Sequence, residues 1–80
     1  MLNHENINSP YRMIRIKQVI ELTSLSRSTI HELKNIKSKY YDPTFPKSVA
    51  LSSHTSAWVL QDVERWLVQR IEKSHGAMSG

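Results

Sequence analysis

The chain contains no cysteine, which excludes disulfide staples and thiolate metal centres and fits a reducing compartment. No apolar run approaches the ~18 residues of a membrane-spanning helix. The opening segment, MLNHENINSP, is polar and lacks the apolar centre of a secretory signal. A cytoplasmic location without a membrane partner is expected. Internal repeats and low-complexity tracts are missing as well. Catalytic signatures are equally scarce, with no HExxH and no glycine-rich phosphate loop, and His4, His31, His54 and His75 lie far apart in the chain. Nucleophilic catalysis needs a base held by a partner, and metal sites need clustered ligands. The expectation is a protein that is not an enzyme and uses no cofactor or metal.

What remains describes one small domain, since 80 residues hold too little chain to bury two cores. Eleven Lys and Arg against seven Asp and Glu leave a net charge of +4, which favours polyanions. Nucleic acid is the commonest such partner of a small basic domain. Charge alone fits an ordinary basic surface equally well, so the pattern along the chain has to decide.

Residues 1–10 read as a mobile arm closed by the breaker cluster Asn8-Ser9-Pro10. The domain is expected over residues 11–73. A short strand is predicted around Met13 to Ile16, where apolar and basic residues alternate. Residues 17–25 form a first helix, with Ile16, Val19, Ile20 and Leu22 or Thr23 at helical spacing. Thr23-Ser24-Leu25-Ser26 interrupts it, because Ser and Thr side chains compete for backbone hydrogen bonds. A second helix is expected over residues 26–38, capped by Ser26, with Ile30, Leu33 and Ile36 or Lys37 continuing its buried stripe. Asp42-Pro43 excludes further helix.

Residues 45–59 read as a β-hairpin with strands at 45–51 and 57–59, joined by the polar loop Ser52-Ser53-His54-Thr55-Ser56. Val49 and Leu51 are expected to face inward, and Pro46 marks an edge strand. The last helix is predicted from about Gln61 to Lys73, with Val63, Trp66, Leu67, Arg70 and Ile71 on its core side. Residues 74–80 read as a flexible polar tail. The fold class is mainly α with a small β-hairpin.

The function is carried by V-I-E-L-T-S-L-S-R-S-T-I-H-E-L, residues 19–33. Two short helices meeting at a steep angle need a set of apolar residues between them. Val19, Ile20 and Leu22 supply it from the first helix, Leu25 plugs the turn, and Ile30 and Leu33 supply it from the second. Opposite that stripe lie Arg27, Ser28, His31, Asn35 and Ser38, flanked by Lys34. Arg can pair with guanine, Asn with adenine, and Ser or Lys with phosphates. Ser26 and Thr29 sit at the helix N-terminus, whose free N–H groups suit a phosphate. Lys47, Ser53, His54 and Thr55 on the hairpin can reach the neighbouring backbone. A helix face that is merely solvated, and an ordinary turn, are the alternatives for the two surfaces.

The run L-S-R-S-T-I, followed by D-P-T-F-P-K-S-V, then A-W and D-V-E-R-W-L, resembles the AlpA family of prophage and genomic-island regulators. The opening R-M-I-R-I-K-Q-V-I matches the family's start, and the resemblance spans about residues 12–71. It implies a winged helix-turn-helix of MerR-like and excisionase-like type, with the second helix in the major groove and the hairpin as wing. It places Ser26, Arg27, Ser28, Thr29 and His31 on the recognition helix, Lys47 on the wing's first strand, and Trp58 and Trp66 in the core. Three departures stand out: Ser24 where relatives usually carry glycine, a wing tip without glycine or arginine, and a long segment from Lys37 to Thr44 containing Tyr40 and Tyr41.

The partner implied is double-stranded DNA, with self-association on it because one such domain contacts few bases. A transcriptional regulator of a mobile element is the first reading. An excisionase that bends attachment-site DNA, with an integrase as partner, is the alternative. A protein-interaction module is the third.

Overall fold

The computed structural model describes residues 9–79, with side chains in the last helix as far as Gly76. The element order is β1 (Met13–Ile14), α1 (Ile16–Thr23), α2 (Arg27–Lys34), β2 (Val49–Ser52), β3 (Thr55–Val59) and α3 (Leu60–Ser79). Three helices therefore surround a small antiparallel sheet of order β1-β3-β2. Most of the arm expected at residues 1–10 lies outside the described residues. Its last two, Ser9 and Pro10, begin a turn in which Ser9 accepts from the Tyr11 and Arg12 N–H groups at 3.0 and 3.1 Å.

β3 is the centre of the sheet. Met13 pairs with Val59 and Ile14 with Trp58 on one side, and Val49 with Ala57 on the other. The hairpin expected from the sequence is thus widened by β1 into three strands. α1 and α3 both pack on β3, and the core gathers there. Ile14, Val19, Ile30, Phe45, Trp58, Val63 and Trp66 form one buried cluster, edged by Ile16, Ile20, Leu25, Leu33, Leu60 and Leu67. Each fully buried aliphatic in it contributes ~1.5–3 kcal/mol. Trp58 and Trp66 are core residues, as the sequence predicts, and each indole has a partner: Trp58 Nε1 donates to the Pro46 carbonyl at 3.2 Å.

Several boundaries differ from the sequence reading. Leu22 is 40% exposed; the inward position belongs to Thr23, whose hydroxyl donates to the Val19 carbonyl at 2.7 Å and accepts from the Leu25 N–H at 3.2 Å. The strand expected from Phe45 starts only at Val49. Asp42 explains why: its carboxylate accepts from the Thr44 N–H at 2.8 Å and the Thr44 hydroxyl at 2.6 Å, while the Phe45 N–H bonds the Asp42 carbonyl. That turn drives Phe45 into the core, edge-on to Trp66 with ring centres 5.0 Å apart. Val49 and Leu51 are exposed rather than inward, because β2 is an edge strand broken by a register shift between Ala50 and Ser52. β3 begins at Thr55, so the loop expected over five residues shrinks to a turn at Ser53-His54. Finally, α3 continues to Ser79, past the expected end at Lys73 and through most of the expected tail. Ile71, placed on its core side by periodicity, is 54% exposed. Among the described residues, no helix is long and apolar enough to cross a membrane.

Candidate nucleic-acid interface

α1 ends at Ser24, which adopts φ 63°, ψ 15° and donates its N–H to the Ile20 carbonyl. This left-handed residue reverses the chain where glycine would be the unstrained choice. Leu25 then tucks against the core, and Ser26 opens α2. The Ser26 hydroxyl accepts from the Thr29 N–H at 3.1 Å and lies 2.9 Å from the Thr29 hydroxyl. The cap is the one the sequence predicts, and it occupies both side chains with each other.

Beyond the cap, the faces of α2 separate cleanly. Ile30 is fully buried and Leu33 half-buried, so the helix is anchored along one side. Arg27, Ser28 and His31 are exposed, Ser28 and His31 turned away from Ile30 and Arg27 at the margin of its face, three residues before it. Lys34 flanks them and is half-buried: its ammonium lies 4.9 Å from the centre of the Trp58 ring. That contact ties the end of α2 to the central strand and holds the charge in one place.

α2 stops at Lys34, four residues short of the expected end at Ser38. Asn35 leaves the helix at φ −87°, ψ 110°, and its side-chain carbonyl accepts from the Lys37 N–H at 3.0 Å. The Glu32 and Leu33 carbonyls, left open by the helix end, are taken by the N–H groups of Asn35 and Asp42. Ser38 folds back so that its hydroxyl bonds the Glu32 carboxylate and accepts from the Tyr40 N–H. Asn35 and Ser38 therefore do not project from the helix beside Arg27, because Asx and serine turns compete successfully with continued helix. Glu32, which the sequence reading passed over, is exposed on the same outer side as Ser28. Its four-residue spacing from Ser28 was the available signal.

The hairpin residues sit elsewhere. Ser53 and His54 form the exposed turn, where the His54 N–H donates to the Ser52 hydroxyl at 3.3 Å. Thr55 opposes Ser52 in the ladder and is half-buried. Lys47 is exposed and precedes β2 rather than lying within it. One shallow groove, lined by Leu33, Lys34, Tyr41, Pro46, Lys47 and Ser48 among others, brings Lys47 and Lys34 together. Among the described residues the only ion pair is Arg65 with Asp62, at 2.9 Å. Among the described residues, Arg27, Lys34 and Lys47 therefore form no ion pair, although Asp42 lines the same groove as the two lysines.

Residues 12–71 match the family described as prophage CP4-57 regulatory protein (AlpA). The chain is 38% identical over 65 residues to the DNA-binding transcriptional activator AlpA of Escherichia coli (strain K12), covering 81% of this chain and 93% of that protein. It is also 37% identical over 60 residues to the uncharacterized protein ORF88 of Enterobacteria phage P4, covering 75% of this chain and 61% of that protein. No solved structure matches it. With three-quarters of its length matched by the family and every core residue inside that match, this chain belongs to the AlpA family of prophage regulatory proteins.

Proposed function

We propose that the chain is a sequence-specific double-stranded-DNA-binding regulator of transcription for a prophage or other mobile element. In this reading α1, the turn at Ser24 to Ser26 and α2 make a helix-turn-helix, and β2 with β3 makes the wing. α2 enters the major groove with Arg27, Ser28 and His31 toward base edges. The helix N-terminus at Ser26 and Thr29 meets one phosphate strand. Lys34, Lys47 and the hairpin turn with Ser53, His54 and Thr55 follow the backbone. The relative from E. coli, named as a DNA-binding transcriptional activator, supports regulation over excision.

The observation that carries the proposal is the division of α2 between a fully buried Ile30 and an exposed Arg27, Ser28 and His31, whose side chains have no hydrogen-bonding or ionic partner among the described residues. The anchored side makes the helix rigid, and the free side leaves donors available for bases. Selection of bound fragments from random DNA, followed by titration across salt, tests it. A recurrent site whose affinity falls steeply with salt is expected. No enrichment, or affinity indifferent to salt, would refute DNA recognition. Occurrences of the selected site at promoters support regulation, whereas repeats of it at attachment sites would shift the role to excision.

A further inference from the structure

α3 carries a face that the domain does not use. Its last buried residue is Trp66, and every described side chain from Val68 to Gly76 is exposed. This stretch extends a helix anchored at Val63 and Trp66, and Gly76 weakens the extension. Yet the helix continues to Ser79. Glu64, Val68, Ile71 and His75 follow one another at steps of four, three and four residues. They fall within an arc of roughly 60° on the helix, apart from the core-facing arc of Val63 and Trp66. Val68 and Ile71, at 49% and 54% exposure, are the apolar centre, with a carboxylate at one end and an imidazole at the other. This alternation of four and three residues is the seam of a two-helix coil.

We infer that this seam pairs antiparallel with the same seam of a second copy of the chain. A two-fold axis between residues 69 and 70 sets Val68 of one copy against Ile71 of the other, at both places where they meet. The same axis sets Glu64 against His75 twice, an acceptor against a donor. Parallel pairing would set Glu64 against Glu64, so charge selects the antiparallel arrangement. A second copy fits the need of the site as well. Within α2 the residues offered to base edges are Arg27, Ser28 and His31, enough for a few base pairs, and symmetric pairs of short readers are the usual remedy. That use on DNA rests on the function proposed above, whereas the pairing itself does not. The seam is roughly 17 Å long and one helix wide, well below the ~1,200 Å² of a stable complex. Association is therefore weak in free solution and becomes effective when neighbouring sites raise the local concentration to the millimolar range.

Sedimentation equilibrium of the full chain up to ~1 mM tests the pairing without DNA. Reversible dimerisation is expected, weakened at least tenfold by Ile71→Glu, whose exposed position leaves the fold intact by circular dichroism. Glu64→Lys and His75→Glu should each weaken it about threefold or more, and the double variant should recover to near the wild-type level. A wild-type chain that stays monomeric at that concentration, an Ile71→Glu chain that dimerises normally, or a double variant worse than either single change would overturn the inference. On DNA carrying two adjacent sites, Ile71→Glu should abolish cooperativity while leaving one-site affinity within twofold; equal cooperativity would again overturn it. A chain that dimerises by this seam but binds no DNA supports the pairing and removes only the functional reading.

Discussion

The indole of Trp66 donates to Asp42 Oδ2 at 3.3 Å, fastening α3 to the loop that follows α2. The other carboxylate oxygen of Asp42 holds Thr44, and Phe45 packs edge-on against the same Trp66 ring. Arg70 lies over that ring as well, 5.7 Å from its centre. One carboxylate thus places the segment between helix and hairpin, and with it Lys47 relative to α2. Burial by itself would raise the pKa of Asp42, but the hydrogen bonds from Thr44 and Trp66 and the nearby Arg70 outweigh it and hold that pKa below the ordinary 3.8.

Because the folded-state pKa of Asp42 is depressed, its stabilising contribution is complete above pH 3.8 and is lost as the pH falls through the lower folded value. Asp42→Asn cannot accept from Thr44 and Trp66 at the same time. It should cost about 1–2 kcal/mol at neutral pH and show a flatter stability profile below pH 5. Urea unfolding at several pH values measures both. Parallel profiles for the two proteins would mean that Asp42 does not anchor this corner.

Trp66→Ala removes the centre of the core and the partner of Asp42 together. A loss of ~3–5 kcal/mol is expected, enough to unfold most of a domain this small at physiological temperature. Thermal melting followed by circular dichroism shows it directly.

Ser24 holds a left-handed backbone at φ 63°, where a Cβ is a liability. Ser24→Gly should stabilise the chain by up to ~1 kcal/mol and raise the melting temperature by a few degrees. A lower melting temperature would show that the added freedom of the unfolded chain outweighs the relieved strain.

Arg27 and Lys47 occupy different surfaces and should fail differently. Arg27→Ala is expected to relax sequence preference at one position and to cost ~1–3 kcal/mol of specific binding. Lys47→Ala should weaken all sequences about equally and reduce the salt dependence by about one unit of slope. Titration of matched and mutated sites at three salt concentrations separates the two behaviours.

Glu32 places a negative charge on the outer side of α2 beside Ser28 and His31. Glu32→Gln should strengthen binding to unrelated DNA severalfold and narrow the gap between specific and unspecific sites, since a repelled carboxylate discriminates against the wrong register. Unchanged binding to random DNA would place Glu32 outside the contact surface and leave it the role of holding Ser38.

Where a residue's fate depended on its near neighbours in the chain, reading the residues in order was sufficient. The Ser26 cap, the interruption of helix at Thr23 to Ser26, the buried Val19 and Ile30, and the core indole of Trp66 follow from hydroxyl chemistry and from spacing within one or two helical turns. Both ends of α1 fall within two residues of expectation for the same reason. The errors lie where distant partners compete. The pattern predicts a helical Ser38, but the carboxylate of Glu32 and the backbone of Tyr40 capture its hydroxyl. Alternation predicts a strand at Phe45, yet Trp66, far along the chain, offers its ring a better environment than a ladder would.

The division has a physical cause. Helical periodicity and capping are satisfied by groups a few residues apart, so composition and order dictate them before any packing occurs. Which face of the hairpin meets the core, how far α2 runs and what remains uncovered on α3 depend on area removed from water by elements that meet late. Val49 and Ile71 carry the same apolar signal as Val19 and Val63; they stay in solvent because β3 and its two helices had already filled the only interior an 80-residue chain can enclose.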